Sequence, residues 1–276
     1  MSRSGQASDY GVLERTRGGD DVTAHAERIR VVGYTVVAGE FAASDVTQFG
    51  ERLDAVLTRQ RDEFGFDRMV AIGDEWTVRC PLAHDDIFLR LVTHPKLLAI
   101  CRHVLGEYVV LMQQNGVVNP PQQTHRQAAY HRDLPYQHFT SSRPLALSAI
   151  FCIDPFRRET GATTVLPATH RVEAFPEEAV ANAIDVSVEA EPGSFIVFDS
   201  MLFHRAGDNQ SDRPRRAVNQ VFTIPLIAQQ ISLPDALDGR HSDDPALARL
   251  LGYDAAPARS AVDWRERRTR RLPSRP

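Results

Sequence analysis

Apolar and polar positions change texture part-way along the chain. Early on, the run from Ile29 to Val37 (IRVVGYTVV) is rich in β-branched residues and predicts a strand. Ser44 then offers an N-cap to DVTQFGERLDAVLTRQRDEF, where Val46, Phe49, Leu53, Val56 and Leu57 recur at helical spacing. HPKLLAICRHVLG predicts a second helix, ended by Gly106. Beyond it come short β-rich runs: YVVLMQQNGVV, QAAYH, LALSAIFCI, TTVLPA, DVSVEA, SFIVFDSMLFH and AVNQVFTIPL. Turn chemistry such as ETGA and EPGS separates them. Many short strands with no helical pattern between them predict a sandwich, barrel or jelly roll. The polar, Gly-rich residues 1–27 read as a flexible N-terminal arm, and the Arg-, Asp- and Pro-rich stretch from about 235 as an irregular C-terminal tail. With no internal repeat or low-complexity linker, residues 28–276 read as one domain.

Composition narrows the function classes. A formal net charge of -4 gives no electrostatic argument for nucleic acid or for an anionic membrane surface. The N-terminus has no apolar signal-like core, and no apolar run approaches the roughly 20 residues that span a bilayer. Cys80, Cys101 and Cys152, dispersed and odd in number, fit reduced thiols, so a cytoplasmic location is expected. The basic run RERRTRRLPSRP reads as a solvated terminus.

The candidate chemistry starts at Tyr130-His131-Arg132-Asp133, at the end of a short predicted strand. Residues two apart on a strand share a face, so His131 and Asp133 can aim an imidazole and a carboxylate at one point. A third ligand from a distant strand would complete the facial set of a non-haem Fe(II) oxygenase, whose open positions admit other ligands. H-x-D alone is common in hydrogen-bonded surface pairs, and zinc competes for the same donors. A second stretch, FIVFDSMLFHRAGDNQSDRPRR, delivers His204 to a polar turn and places Arg215 eleven residues later, with Arg216 beside it. An arginine fork suits a carboxylate, whereas in isolation both arginines fit a solvated loop.

Order and spacing together resemble the phytanoyl-CoA dioxygenase-like oxygenases. That family carries H-x-D, then a Pro-Gly-Asp/Ser turn before an apolar strand, then His with Asn at plus five and Arg at plus eleven. Here these are His131-x-Asp133, Pro192-Gly193-Ser194, and His204 with Asn209, Ser211 and Arg215. ETGATTVLPATHR, from Glu159 to Arg171, looks like the family's NGxxxVxPGSH(R/K) segment, and GYTVVAGEF like its GYVVLxGxF opening. The resemblance covers roughly residues 30 to 228. It implies a double-stranded β-helix (a cupin-like jelly roll) with helices outside, Fe(II) held by His131, Asp133 and His204, and 2-oxoglutarate and O2 as co-substrates. It further implies oxidative decarboxylation to succinate and CO2 coupled to hydroxylation of a small molecule. A natural-product or amino-acid-like substrate of secondary metabolism ranks first.

The same resemblance assigns Arg215 to the distal carboxylate of 2-oxoglutarate. It sets Gln113, Asn115 and Asn119, which share one strand face, near the co-substrate; a solvated edge strand explains them equally. Tyr136, Gln137 and His138, just after the metal motif, are candidates for substrate contact. His94, His103, His125 and His170 read as structural or exposed. Related halogenases carry a small residue in place of Asp133, so its presence favours oxygenation over halogenation. Several relatives have a co-substrate-binding Ser two places after the second His, where this chain has Ala206. Desaturation, cyclisation or demethylation would use the same residues. Other classes open to the sequence are a non-catalytic cupin-like binding module, against which the intact ligand set counts, and a zinc hydrolase, which would not need the arginines. The sequence does not specify an oligomeric state.

Overall fold

The structure, a computed structural model, describes residues 19–123, 126–134 and 138–270. Among the described residues nine strands carry the fold: β1 (Tyr34–Ala38), β2 (Thr77–Arg79), β3 (Val110–Asn119), β4 (Ala146–Cys152), β5 (Thr164–Val165), β6 (Val186–Ser187), β7 (Ser194–Asp199), β8 (His204–Arg205) and β9 (Arg215–Thr223). Six form an antiparallel sheet in the order β1-β7-β4-β9-β3-β2, and three form a smaller sheet in the order β6-β5-β8. This is a jelly roll with flanking helices, as expected.

Alternation along the central strands sorts the core into two layers. One set, including Leu147, Ala149, Phe151, Val197, Val218 and Phe222, packs outward against helices. The other, including Ile150, Cys152, Ile196, Phe198 and Ala217, packs between the sheets with Phe156, Val165 and Leu202. The main outer helix, α2 (Ala43–Phe64), contributes Phe49, Leu53, Val56 and Leu57 to the first layer, the stripe its periodicity predicts. It presses closely on the sheet: a Cβ at Gly116 would lie 2.4 Å from Leu53 Cδ1. The helix Pro95–Leu105 also forms as expected and stops before Gly106.

Several local expectations are corrected. The run Ile29–Val37 is not one strand: helix α1 (Asp21–Val32) takes its first part and β1 its second. Asp20 caps α1 through Thr23 N at 2.9 Å, and Gly33 ends it at φ +95°, so cap and stop override the β-branched side chains. Residues 21–27 of the expected arm lie in that helix; residues 1–18 are outside the described set. Ser44 is not the cap of α2; it lies within the first turn, and the N-cap is Ala42. QAAYH is not a strand, since Arg126–Ala128 is a 3-10 turn and His131 makes only an isolated bridge to His204. The C-terminal stretch is not irregular: it forms the helices Leu233–Ala236, Pro245–Leu250 and Ala261–Arg270, with Leu233, Leu237, Leu250 and Leu251 buried in the outer core. Among the described residues no helix is long and apolar enough to cross a membrane. Cys80, Cys101 and Cys152 are buried free thiols.

Candidate metal centre

Backbone pairing builds the centre. His131 and His204 face each other across an antiparallel bridge, each backbone nitrogen donating to the other's carbonyl oxygen, at N···O distances of 2.9 and 3.0 Å. Asp133 N donates to Ser200 O at 3.0 Å, continuing the pairing. His131, Asp133 and His204 thereby bring one ligand-type atom each to within 4.8 Å of one another. Asp133 Oδ1 lies 3.8 Å from His131 Nε2 and 3.5 Å from His204 Nε2.

The remaining polar atoms of the three side chains are occupied. His131 Nδ1 is 2.9 Å from Ala129 O, and His204 Nδ1 is 3.0 Å from Leu202 O. Each Nδ1 must carry the proton to donate to a carbonyl, which leaves Nε2 as the lone-pair atom facing inward. Asp133 Oδ2 accepts from Ser148 Oγ at 2.6 Å and Asn219 Nδ2 at 3.2 Å, leaving Oδ1 to the centre. Burial alone would raise the Asp133 carboxyl, but the imidazoles of His204 and His131 and the Ser148 hydroxyl hold it well below the usual carboxylate range. Burial opposes protonation of His204, and the Asp133 carboxylate outweighs it and raises the imidazole. Two imidazoles and an ionised carboxylate, each tied at its rear, fit a divalent metal.

A narrow slot of about 30 Å³ leads from these atoms past Thr163 and Ala206 to Arg215. Arg215 is 3% exposed, lies over the Phe156 ring at 4.2 Å, and donates from one terminal nitrogen to Gly161 O at 3.0 Å. Its Nε is buried with no hydrogen-bond partner. Burial pushes the guanidinium down to about 10, so it keeps its charge at neutral pH. Arg216 faces the other way and pairs with Asp154 at 2.9 Å and Asp54 at 2.8 Å.

The other sequence-derived candidates separate. Gln113 and Asn115 line an outer chamber of about 330 Å³ that shares His131 and Asp133 with the slot. Asn119 lines neither space; its amide donates to Gly207 O at 2.9 Å and Gly161 O at 3.4 Å, bracing the turns beside Arg215. Gly161 is required there, since a Cβ would meet the Asn119 amide nitrogen at 2.4 Å. Tyr136 and Gln137 lie outside the described residues, and His138 is exposed and lines neither space. His170 is 3% exposed, with Nε2 3.3 Å from Arg30 O, and so ties its turn to α1. Ala206 offers the slot no side-chain hydrogen bond, as its chemistry dictates.

Residues that sequence reasoning passed over include Ser148, Asn219 and Arg132. Ser148 and Asn219 sit on strands that the pattern predicts, at positions only cross-strand register can aim at Asp133. Arg132, between two ligand residues, is 2% exposed. It donates to the carbonyls of Met201 (2.7 Å), Glu173 (3.1 Å), Thr169 (3.2 Å), Phe139 (3.5 Å) and Val172, with its guanidinium 3.9 Å from the centre of the Phe203 ring. A charged residue inside an H-x-D motif was the available signal.

The family model of phytanoyl-CoA dioxygenase (PhyH) matches residues 29–217. The chain is 33% identical over 234 residues to the uncharacterized protein Rv1501 of Mycobacterium tuberculosis, covering 82% of this chain and 85% of that one. It is 30% identical over 194 residues to the iron/alpha-ketoglutarate-dependent dioxygenase ausO of Aspergillus calidoustus, covering 67% of this chain and 61% of ausO. Its fold is similar to that of EctD from S. alaskensis with 2-oxoglutarate and 5-hydroxyectoine, at a TM-score of 0.64 and 21% identity, over 78% of this chain and 81% of EctD.

Proposed function

From the premise that the chain belongs to the phytanoyl-CoA dioxygenase family and is an Fe(II)- and 2-oxoglutarate-dependent dioxygenase, we propose that it hydroxylates a small molecule in the cytoplasm, with His131, Asp133 and His204 as the iron ligands. The observation that carries this reading is the convergence of Asp133 Oδ1 and two lone-pair Nε2 atoms at the head of a slot that ends on Arg215. Arg215 binds the distal carboxylate of 2-oxoglutarate, and its partnerless Nε is the donor that the carboxylate satisfies. When bound, the iron and its co-substrate couple decarboxylation to succinate and CO2 with oxidation of the primary substrate.

The protein's own residues position and exclude. Ser148 and Asn219 fix the rotation of the Asp133 carboxylate. The carbonyls of Ala129 and Leu202 fix the tautomers of the two histidines. Phe156 covers one face of Arg215, keeping water from the charge and so strengthening its pull on a carboxylate.

Protein loaded anaerobically with Fe(II) is expected to bind about one equivalent and, with substrate and O2, to release succinate. His131→Ala, Asp133→Ala and His204→Ala each abolish both. A variant of the three that keeps native iron affinity and turnover removes that residue from the ligand set. Under labelled dioxygen, one oxygen atom is expected in succinate and one in the product. The product atom can exchange with water, so an oxidised product accompanied by unlabelled succinate is the result that would contradict oxidation by dioxygen.

A further inference from the structure

The outer chamber has an unusual wall. Small-molecule sites are mostly lined by hydrophobic and aromatic side chains. Among the described residues around this chamber there is no aromatic ring other than the ligand His131 and no long aliphatic chain; Val117 is the largest apolar contribution. The wall is made instead by Thr77, Arg79, Gln113, Asn115, Asn219 and Gln230. Arg79 brings no free charge, because Asp74 accepts from its Nε at 2.9 Å and from NH2 at 2.5 Å. Arg132 also lines the chamber, with its guanidinium donating to backbone carbonyls, so apart from the metal centre the wall offers mainly hydrogen bonds.

Two of these hydrogen-bonding atoms are unmatched. Asn115 and Asn219 lie directly opposite each other across β3 and β9, at 6% and 8% exposure. Each has an amide oxygen that is buried and without a partner. Their orientation is fixed: Asn115 Nδ2 donates to Gln230 Oε1 at 2.9 Å, and Asn219 Nδ2 to Asp133 Oδ2 at 3.2 Å. Gln230 Oε1 also accepts from Arg79 NH1 at 3.4 Å, so it is the oxygen end of that amide. Both asparagine oxygens are acceptors that need donors. 2-Oxoglutarate at neutral pH has two carboxylates and a ketone, all acceptors, and cannot supply one. The co-substrate therefore leaves both oxygens open to donors from the primary substrate.

Resting on the dioxygenase reading above, we propose that the primary substrate is a small, hydrophilic, uncharged or zwitterionic molecule that presents neighbouring hydroxyl or amino donors to the paired amide oxygens of Asn115 and Asn219. A polyol, sugar-like or amino-acid-like compound has this chemistry; a terpenoid hydrocarbon or fatty acyl chain does not. Burying an apolar skeleton here would leave the wall amides without either water or a partner.

The test uses the full chain loaded anaerobically with Fe(II) and 2-oxoglutarate. It is titrated calorimetrically with myo-inositol, glucosamine, serine and lysine on one side, and with farnesol and lauric acid on the other. The same compounds are then assayed for stimulation of 2-oxoglutarate turnover in air. At least one hydrophilic probe is expected to bind and to raise turnover more than twofold, and the apolar pair to do neither. Asn115→Leu is expected to weaken that binding about tenfold or more while the 2-oxoglutarate constant moves less than twofold. Equal weakening of probe and 2-oxoglutarate overturns the proposal, as does stimulation by the apolar pair or by no hydrophilic probe. A melting temperature that falls by more than about 4 °C in Asn115→Leu also overturns it, because the amide would then serve the fold rather than a ligand. Failure of the underlying reading registers separately, as absence of Fe(II)-dependent 2-oxoglutarate binding in the same calorimeter.

Discussion

At the scale of single residues, Arg215 and Arg216 show how far one position on a strand matters. Arg215→Ala removes the buried guanidinium that lines the slot and is expected to raise the apparent constant for 2-oxoglutarate roughly 30-fold or more, about 2–5 kcal/mol. Arg216→Ala breaks pairs with Asp154 and Asp54 on the opposite face. It is expected to lower stability by about 1–2 kcal/mol with little change in that constant. Initial-rate kinetics on both variants, with urea titrations alongside, would refute the assignment if the two effects were exchanged. The H-x-D spacing and the later His204 pointed to three residues that do converge, although His131 stands on an isolated bridge and not on a strand. Ser148 and Asn219 were not legible in the sequence, because what aims them at Asp133 is the pairing of β4 and β9, which no local pattern specifies. Asn119 was misplaced for the same kind of reason: parity put it on the right face, but the turns at Gly161 and Gly207 close over it.

At the scale of elements, one side chain between two of the candidate ligands ties several neighbouring turns together. Arg132 saturates its guanidinium on backbone carbonyls from residues 139, 169, 172, 173 and 201. Arg132→Met keeps the stem and removes every donor, and is expected to cost about 3 kcal/mol or more, since several buried carbonyls lose their partner at once. Arg132→Lys cannot span the same fan of acceptors and should recover less than half of that loss in chemical denaturation. Near-complete recovery by Lys would show that charge rather than geometry is at work. The neighbouring turn offers a change of opposite sign. Ala168 sits at φ 64°, ψ 0°, where the family segment has glycine, and its N–H donates to Val32 O at 2.7 Å. Ala168→Gly keeps that hydrogen bond and relieves the left-handed strain, for a net gain of about 1 kcal/mol or about 2–4 °C in melting temperature. A lower melting temperature would show that the turn carries no strain. Elements followed the same division as residues: the long strands β3, β4, β7 and β9 were readable from alternation, whereas QAAYH failed because its pairing is a single bridge set by a partner 73 residues away.

At the scale of the whole molecule, stability should carry the mark of one buried acid. Asp199, 4% exposed at the end of β7, is raised by burial to about 6 from 3.8, against the hydrogen bond from Met201 N and the charges of Arg171 and Arg132. Between about pH 4 and 6 the folded chain holds a proton that the unfolded chain has released, so stability falls as pH rises through that window. The penalty is absent below about pH 4 and complete above about pH 6, where the rise corresponds to about 3 kcal/mol. Asp199→Asn keeps an oxygen for Met201 N and loses the charge. Its urea midpoint is expected to exceed the native one at pH 8, with the gap closing toward pH 4; a gap independent of pH would refute this. The jelly-roll class was readable because it depends on many strands at once, while the C-terminal helices were not, because short elements depend on the leucines they bury more than on their own propensity. The bridge between His131 and His204 has one more consequence. Two backbone hydrogen bonds, rather than the length of chain between them, set the separation of these two side chains. The cost of closing a longer loop grows only with the logarithm of its length. Insertions and deletions in the intervening excursion could therefore accumulate over evolutionary time, remodelling which molecules reach the centre while its geometry is inherited intact.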